Sequence, residues 1–270
     1  MRTIVHLSDL HFGRLDERVV ASLGAAIDEI QPALVAISGD LTQRAGRRQF
    51  AEARAFLDSI RFPRLVIPGN HDVPLYDIAS RFLAPLHRYR RFIADDVEPM
   101  YVDEEIVVLG LNSVRSLSFG GRGRLNERQV HRAVERLRAV APSLVKIIVT
   151  HHPFDGPIEP GSGHLVGRAN MAMGQLAALQ ADLFLAGHLH VSHVGHTAER
   201  YEVAGHNALV VQAGTISTRL RGEANTFNIL YLERPHITVA CRTWDAGRQT
   251  FLESSRLKFR HAEGGWTASD

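Results

Sequence analysis

The sequence predicts an α/β fold of two sheets with helices on their flanks, and three observations predict it. Short apolar, β-branched runs alternate with amphipathic helical patterns through the first half of the chain. Residues able to bind a metal recur directly after those runs, at intervals of one strand–helix–strand unit. From about residue 190 the pattern changes to strands joined by polar turns, as in a meander closing a second sheet. With no repeat, low-complexity tract or linker, the 270 residues read as one domain over 1–260, followed by a frayed tail at 261–270 that includes "GGWTASD".

The elements follow in order. "RTIVHL" (2–7), "PALVAIS" (32–38) and "RLVIP" (64–68) are apolar runs bounded by turn residues, as expected for strands buried on both faces. Between the first two, Val19, Val20, Leu23, Ile27 and Ile30 keep helical spacing behind a cap at Asp16. Between the second and third, Phe50, Ala53, Phe56, Leu57 and Ile60 do the same. A helical pattern over 78–93 puts Ile78, Phe82, Leu86, Tyr89 and Ile93 on one stripe and Arg81, Arg88 and Arg91 on a solvated face, with Pro85 splitting or kinking it. "EIVVLGLNS" (105–113), "SLVKIIVTHHP" (143–153) and "ADLFLAGHLH" (181–190) read as strands. Residues 126–140 read as a helix that Asn126 and Gln129 cap reciprocally. The strands of the meander are "VSHVGH", "NALVVQAG", "TFNILYLE" and "HITVACRTW".

Apolar residues at 45% and charged residues at 22% exclude a disordered or membrane-embedded chain. No cationic-then-apolar leader opens the sequence and no run approaches the roughly 18 apolar residues of a membrane span, so a cytoplasmic location is expected. A net charge of +2 without a basic block argues against a nucleic-acid partner, though nucleic acid stays open as a substrate, as does a homo-oligomer. A single cysteine, Cys241, excludes an internal disulfide and a thiolate zinc site. Any metal must use His, Asp, Glu or Asn, and the chain has 15 histidines.

Those residues concentrate at strand ends. Asp9 and His11 follow the first strand, Gly39 and Asp40 the second, and Asn70, His71 and Asp72 the third; His151–His152 and Gly187–His188–Leu189–His190 end two later strands. Asp9 to Asp40 spans 31 positions and Asp40 to Asn70 spans 30, each one strand–helix–strand unit that returns the chain to the same sheet edge, where open α/β sheets bind ligands. In extended backbone, residues two apart face one side, so Asp9 pairs with His11 and His188 with His190. Carboxylate, imidazole and amide oxygen together suit Zn, Mn, Fe or Co rather than Ca. So many such residues exceed one tetrahedral site and fit two ions about 3.5–4 Å apart sharing a carboxylate. Gly39, Gly69 and Gly187 each precede one of these residues, where they allow a close approach of backbone that a Cβ would forbid.

The motifs D-x-H, G-D, G-N-H-D, H and G-H-x-H, in that order, resemble the calcineurin-like metallophosphoesterase superfamily over about residues 4–215. "HLSDLHFG", "ISGDLTQRA", "VIPGNHDVP", "VTHHP" and "AGHLH" are most similar to the bacterial cyclic-nucleotide and glycerol phosphodiesterases. The resemblance implies a four-layer αββα sandwich, with two mixed sheets and a dimetal site at the C-terminal ends of the strands. It implies that Asp9, His11, Asp40 and His190 hold one ion and that Asp40, Asn70, His151 and His188 hold the other, Asp40 bridging. The ions are two divalent transition metals, Mn, Fe or Zn. His71 matches the non-ligand histidine that contacts the phosphate and assists the leaving oxygen, with Asn70 beside it, while His152 lines the substrate side and Asp72 orients a neighbouring imidazole. Two divalent ions bring four positive charges and Asp9, Asp40 and a bridging hydroxide return three, a net of about +1 that suits a phosphodiester anion. The implied activity is hydrolysis of a small phosphodiester of the cyclic-nucleotide or glycerophosphodiester kind by that hydroxide. A phosphomonoesterase, a phospholipid phosphodiesterase, a nuclease or a non-catalytic scaffold are the alternatives on the same centre.

The remaining histidines carry less. His6 reads as a hydrogen-bonded core group; His87, His131, His236 and His261 read as surface groups; His193, His196 and His206 are within reach of the rim of the site. The Gly-rich stretches at 119–126 and 156–168, within loops 113–125 and 153–172, are expected to border the cleft and to bring Arg122, Arg124, His164 or Arg168 to the substrate.

Overall fold

Alternating strands and helices open the chain as expected. The computed structural model describes residues 1–116, 121–157, 164–201 and 206–269. Strands β1 (Arg2–Leu7), β2 (Leu34–Ile37) and β3 (Arg64–Val66) run parallel, joined by helices α1 (Glu17–Ile30) and α2 (Arg47–Ser59). Val19, Leu23 and Ile27 are the buried stripe of α1, and the Asp16 carboxylate accepts from the Arg18 amide at its start. Helices α3 (Ile78–Leu83) and α4 (His87–Phe92) come next, then strands β4 (Met100–Val102) and β5 (Ile106–Gly110), helix α5 (Glu127–Arg138), strand β6 (Val145–Val149), helix α6 (Ala169–Ala177) and strands β7 (Leu183–Ala186), β8 (His193–His196) and β9 (Leu209–Gln212). The chain closes with β10 (Thr226–Glu233), β11 (His236–Asp245), β12 (Thr250–Ala262) and β13 (Gly265–Ser269).

Among the described residues two mixed sheets result: seven strands in the order β13-β12-β11-β10-β1-β2-β3 and six in the order β4-β5-β6-β7-β9-β8. Alternation along each strand sends side chains into different layers. Ile4, Leu34, Ala36 and Leu65 meet Ile106, Val108, Ile147 and Leu183 between the sheets. Val5, Leu7, Val35 and Ile37 pack outward with Leu23, Ile27, Phe50 and Leu57 of the first pair of helices. On the far side Val107, Leu109 and Ile148 pack with Val130, Leu137 and Leu176. Helix, sheet, sheet, helix is the arrangement the sequence predicts.

Three expectations need correction. The strands after residue 190 do not all close the second sheet: β8 and β9 do, whereas β10 pairs antiparallel with β1, Ile229 opposite Val5, and carries β11 to β13 onto the first sheet. Second, the tail does not fray at 264–269. Strand β13 pairs with β12, and Trp266 is 1% exposed in the layer between the sheets. Its indole Nε1 donates to Asp182 Oδ1 at 2.9 Å, and its backbone N–H donates to the Asn207 carbonyl at 2.8 Å. One buried indole with both ends satisfied fixes a segment whose composition reads as loose.

Third, Pro85 splits the 78–93 pattern, and the two short helices do not share one stripe. Tyr89 is buried and donates through its hydroxyl to the Val66 carbonyl at 2.9 Å, while Phe92 stacks on Phe50 at 6.0 Å between centroids. In α3, however, Ile78 and Phe82 are 64% and 41% exposed, and Arg81, read as solvated, is 4% exposed and donates to the Pro74 carbonyl. No helix among the described residues is long and apolar enough to cross a membrane.

His6 is buried on β1, with Nε2 3.0 Å from Ser38 Oγ, and burial pushes its imidazole down to about 3. The folded state therefore resists protonation that the unfolded chain accepts, so stability present above about pH 6.5 is lost as pH falls from there toward 3. In His6→Gln the slope of unfolding free energy over that window, read by urea titration, should flatten by up to about 1.4 kcal/mol per pH unit. Trp266→Ala should cost about 3–5 kcal/mol in the same measurement; a loss below about 1 kcal/mol would mean that β13 contributes little.

Candidate metal centre

The turns beyond β1, β2, β3, β6 and β7 are tied to one another. The Asp9 amide donates to the Gly39 carbonyl at 3.1 Å, the His11 amide to the Asp40 carbonyl at 2.9 Å, and the His188 amide to Asp9 Oδ2 at 2.8 Å. The expected convergence of Asp9 with His11 is present, but not through strand alternation, and His188 and His190 do not converge on each other: His190 joins Asp9 and His11, while His188 joins His151. β1 ends at Leu7 and β7 at Ala186, and Asp9, His11, Asp40, His188 and His190 adopt left-handed backbone with φ of 54°, 47°, 53°, 72° and 60°. Each such non-glycine residue costs on the order of 1 kcal/mol, and clusters of them mark sites where the surrounding structure imposes the geometry.

Each carboxylate is fixed through one oxygen and presents the other. Asp9 Oδ2 accepts from Ser8 Oγ at 2.7 Å and from the His188 amide; Oδ1 is buried, has no hydrogen-bond donor among the described residues, and lies 3.0 Å from His190 Nε2 and 3.5 Å from His11 Nε2. Asp40 Oδ1 accepts from the His71 amide at 2.8 Å, whereas Oδ2 lies 3.6 Å from His11 Nε2 and 3.4 Å from His151 Nε2. Asn70 Oδ1 sits 3.0 Å from His151 Nε2 and 3.1 Å from His188 Nδ1. One Asp40 oxygen thus stands between two donor sets, Asp9–His11–His190 and Asn70–His151–His188.

The imidazoles aim lone pairs at this space. Nδ1 of His190, His151 and His11 faces the carbonyls of Arg219, Ser38 and Thr42 at 2.7, 2.8 and 3.4 Å, which places the proton on Nδ1 and leaves Nε2 bare. His11 Nε2 and His190 Nε2 are only 3.1 Å apart. Donors about 2.0–2.2 Å from a tetrahedral or octahedral cation lie about 3.0–3.5 Å from one another, and the distances here fall in that range. The orphaned Asp9 oxygen and the facing lone pairs fit cations.

The electrostatics agree. Burial alone would raise Asp9 and Asp40, but the imidazoles of His190, His11 and His151 outweigh it and hold both carboxyls well below the usual range. Burial disfavours a charged His151, yet Asp40 and Asp9 outweigh it and push the imidazole up to about 9. The pocket demands positive charge, which an ion supplies in place of protons.

Two close approaches need glycine. A Cβ on Gly69 would overlap the Asp40 amide, and one on Gly187 would overlap Ser8 Oγ. Asp72 does not orient an imidazole. Its carboxylate accepts from the amides of Gly69, Leu41 and Thr42 at 2.9, 3.1 and 2.8 Å, clamping the turns that carry Asp40 and Asn70. His152, expected on the substrate side, is fully buried and outside the lining of the cleft, its donor nitrogen within 4.8 Å of those of His151 and His188; Nδ1 lies 2.8 Å from Ser113 Oγ and Nε2 2.6 Å from the Gly121 carbonyl, and burial pushes it down to about 3.

A cleft of about 320 Å³ opens beside the centre, with Asn70, His71 and His188 in its wall. His71 Nδ1 faces the Gln43 carbonyl at 2.8 Å; burial, with repulsion from His11 and Arg219, lowers its proton affinity against the pull of Asp40. Arg219, which the sequence reading missed, donates from Nη1 to His71 Nε2 at 3.0 Å and reaches His11 Nε2 at 3.3 Å. It follows β9 with no motif around it, so only the fold brings it in. Of the loop residues, Arg122 and His164 line the cleft and Arg124 and Arg168 do not; Arg88 is spent on Ala45 and Asp77. His193 and His196 sit on edge strand β8 and His206 is buried away from the cleft. Residues 117–120 and 158–163 of the two Gly-rich loops lie outside the described residues.

The family described as calcineurin-like phosphoesterase matches residues 2–192. No curated protein matches the chain. Among solved structures, a purple acid phosphatase from yellow lupin is similar at 12% identity and a TM-score of 0.70, over 95% of this chain; the chain spans 53% of the lupin protein's own length. GAP50, the anchor in the inner membrane complex of Plasmodium, is similar at 13% identity and a TM-score of 0.61, over 97% of this chain and 89% of that one. At these identities the likeness is one of fold.

Removing the shared carboxylate tests the two-set geometry. After Mn²⁺ loading and desalting, elemental analysis should find about two ions per chain in the wild type and in His71→Ala, and fewer than about one in Asp40→Ala. A full complement in the Asp40 variant would remove the bridge.

Proposed function

The chain belongs to the calcineurin-like phosphoesterase family, and from that premise we propose that it hydrolyses small phosphodiesters of the cyclic-nucleotide or glycerophosphodiester kind at a centre of two divalent transition-metal ions, Mn, Fe or Zn. The observation that carries this reading is Asp40 Oδ2 standing within 3.4–3.6 Å of an imidazole from each donor set. When bound, the two ions supply Lewis acidity and a nucleophile at neutral pH, which removes the need for a protein nucleophile. Asp9, His11, Asp40 and His190 would hold one, and Asp40, Asn70, His151 and His188 the other.

The protein's own residues bind, orient and move protons. Asn70 contributes oxygen without charge, so the two carboxylates leave the loaded centre only weakly positive and matched to a singly charged phosphodiester. Arg219 lies against His71 and His11, where a phosphoryl oxygen would accept its N–H groups. An anion there relieves the repulsion that lowers His71 and lets Nε2 hold a proton for the leaving oxygen, while the Gln43 carbonyl keeps the ring in place. His152 positions the Gly121 side of the cleft from behind.

A second reading, a phosphomonoesterase, has its own support in the arginines of the cleft, which suit a doubly charged group. The Mn²⁺-loaded chain should hydrolyse bis-p-nitrophenyl phosphate with higher kcat/KM than p-nitrophenyl phosphate. The reverse order favours the monoesterase, and inactivity on both with Mn, Fe and Zn leaves a scaffold. His71→Ala should lower kcat on the diester by about 10²–10³-fold, the usual worth of a positioned acid.

A further inference from the structure

The cleft beside the metal centre is far more cationic than a phosphodiester requires. Arg44, Arg81, Arg115, Arg122 and Arg221 line it, and no Asp or Glu is among the described lining residues. They arrive from separate segments: the turns after β2 and β5, helix α3 and the connection between β9 and β10. The nearest carboxylate in sequence to Arg221, Glu223, accepts from the Ser192 amide at 2.9 Å.

Two of these charges, at Arg44 and Arg221, are uncompensated among the described residues and close to the reacting site. Arg44 and Arg221 are exposed, and neither side chain has an ion pair or hydrogen bond to a described residue. Both act on Arg219, whose guanidinium touches His71 and which burial and then their repulsion lower against the pull of Asp40 and Asp9. Arg115 is lowered by burial and by Arg124 and Arg168. The segment that carries Arg44 is nevertheless fixed. Its amide donates to Gln49 Oε1 at 2.9 Å, the Ala45 amide to Thr42 Oγ1 at 3.0 Å, and the Gln43 carbonyl holds His71. On the opposite wall His152 anchors the Gly121 carbonyl next to Arg122. Like charges held together by fixed backbone raise the local potential and select anions.

We propose that the substrate is a phosphodiester carrying a second phosphoryl group, the diester at the metal centre and the second phosphate between Arg44 and Arg221. This rests on the phosphodiesterase reading. The loaded centre already balances a single negative charge, so the arginines have no counterpart in a singly charged diester. The cleft is large enough for a phosphate and the few atoms that link it to the diester.

The test compares thymidine 5′-(p-nitrophenyl phosphate) with the same ester phosphorylated at O3′, using the Mn²⁺-loaded chain. At low salt kcat/KM should be at least about tenfold higher for the 3′-phosphorylated ester, the gap should narrow as salt screens the contacts, and in the Arg44→Ala/Arg221→Ala variant the ratio should fall to near one. Equal values in the wild type, or an undiminished ratio in the double variant, overturn the proposal. Calorimetric titration with thymidine 3′,5′-bisphosphate and thymidine 5′-monophosphate reads the same preference without turnover. Should neither ester be hydrolysed, the phosphodiesterase reading fails, yet tighter bisphosphate binding that the double variant loses still upholds the cleft's selectivity, and equal binding overturns it. Propane-1,3-diol bisphosphate separates the sources: binding as tight as the nucleoside bisphosphate assigns the site to phosphorylated polyol diesters, and weaker binding assigns it to nucleotides.

Discussion

Lone pairs that cannot satisfy one another have to be held together, and much of the molecule does that holding. His11 Nε2 and His190 Nε2 face each other at 3.1 Å, and beside them Asp9 Oδ1 is buried with no donor. Nothing in hydrogen bonding explains such a cluster, because each histidine has already committed its proton to a backbone carbonyl. A cation resolves the repulsion, and without one the site attracts protons, which is why Asp40 and Asp9 push His151 up to about 9 despite its burial.

The cost of that arrangement is spread through the backbone. Five of the seven donors are left-handed, and the glycines at 69 and 187 let one turn press against the next. Asp72 stitches the turns after β2 and β3 together through three amides, and Ser8 and the His188 amide fix Asp9. These contacts are possible only because the two sheets present their strand ends to the same rim. The packed layer between the sheets, from Ile4 on one side to Ile147 on the other, is what supports the strain.

Most of the architecture, and the meeting of side chains from five distant segments at one sheet edge, is legible in the sequence. The 31- and 30-residue spacings reported one strand–helix–strand unit each, and parallel packing fixed the rest. What escaped had a physical reason. Strand alternation pairs Asp9 with His11, yet a left-handed turn beyond the strand brings them together, and two-residue periodicity cannot distinguish the two. Strands β4 and β12 were missed because one is three residues long and the other largely polar and exposed. Trp266 was lost in a Gly-rich tail because its partner, Asp182, lies 84 positions away. Arg219 carries no motif, and Arg81 was placed by a stripe that the break at Pro85 had already ended.

Those misses share a direction that bears on function. The donors sit on strand ends, where spacing is periodic and readable, and they define a chemistry that many substrates could share. The other residues that line the cleft or border it lie on connections whose conformation depends on distant contacts: Arg44 on a turn pinned to Gln49 and Thr42, Gly121 and Arg122 on a wall pinned by His152, Arg219 and Arg221 on the link between the sheets. On the proposed reading, a weakly charged centre beside a cleft lined by arginines would separate two tasks, one phosphoryl group at the centre and the charge of the rest of the molecule at the rim. On that reading specificity belongs to the tertiary structure, while the local motifs carry the reactivity.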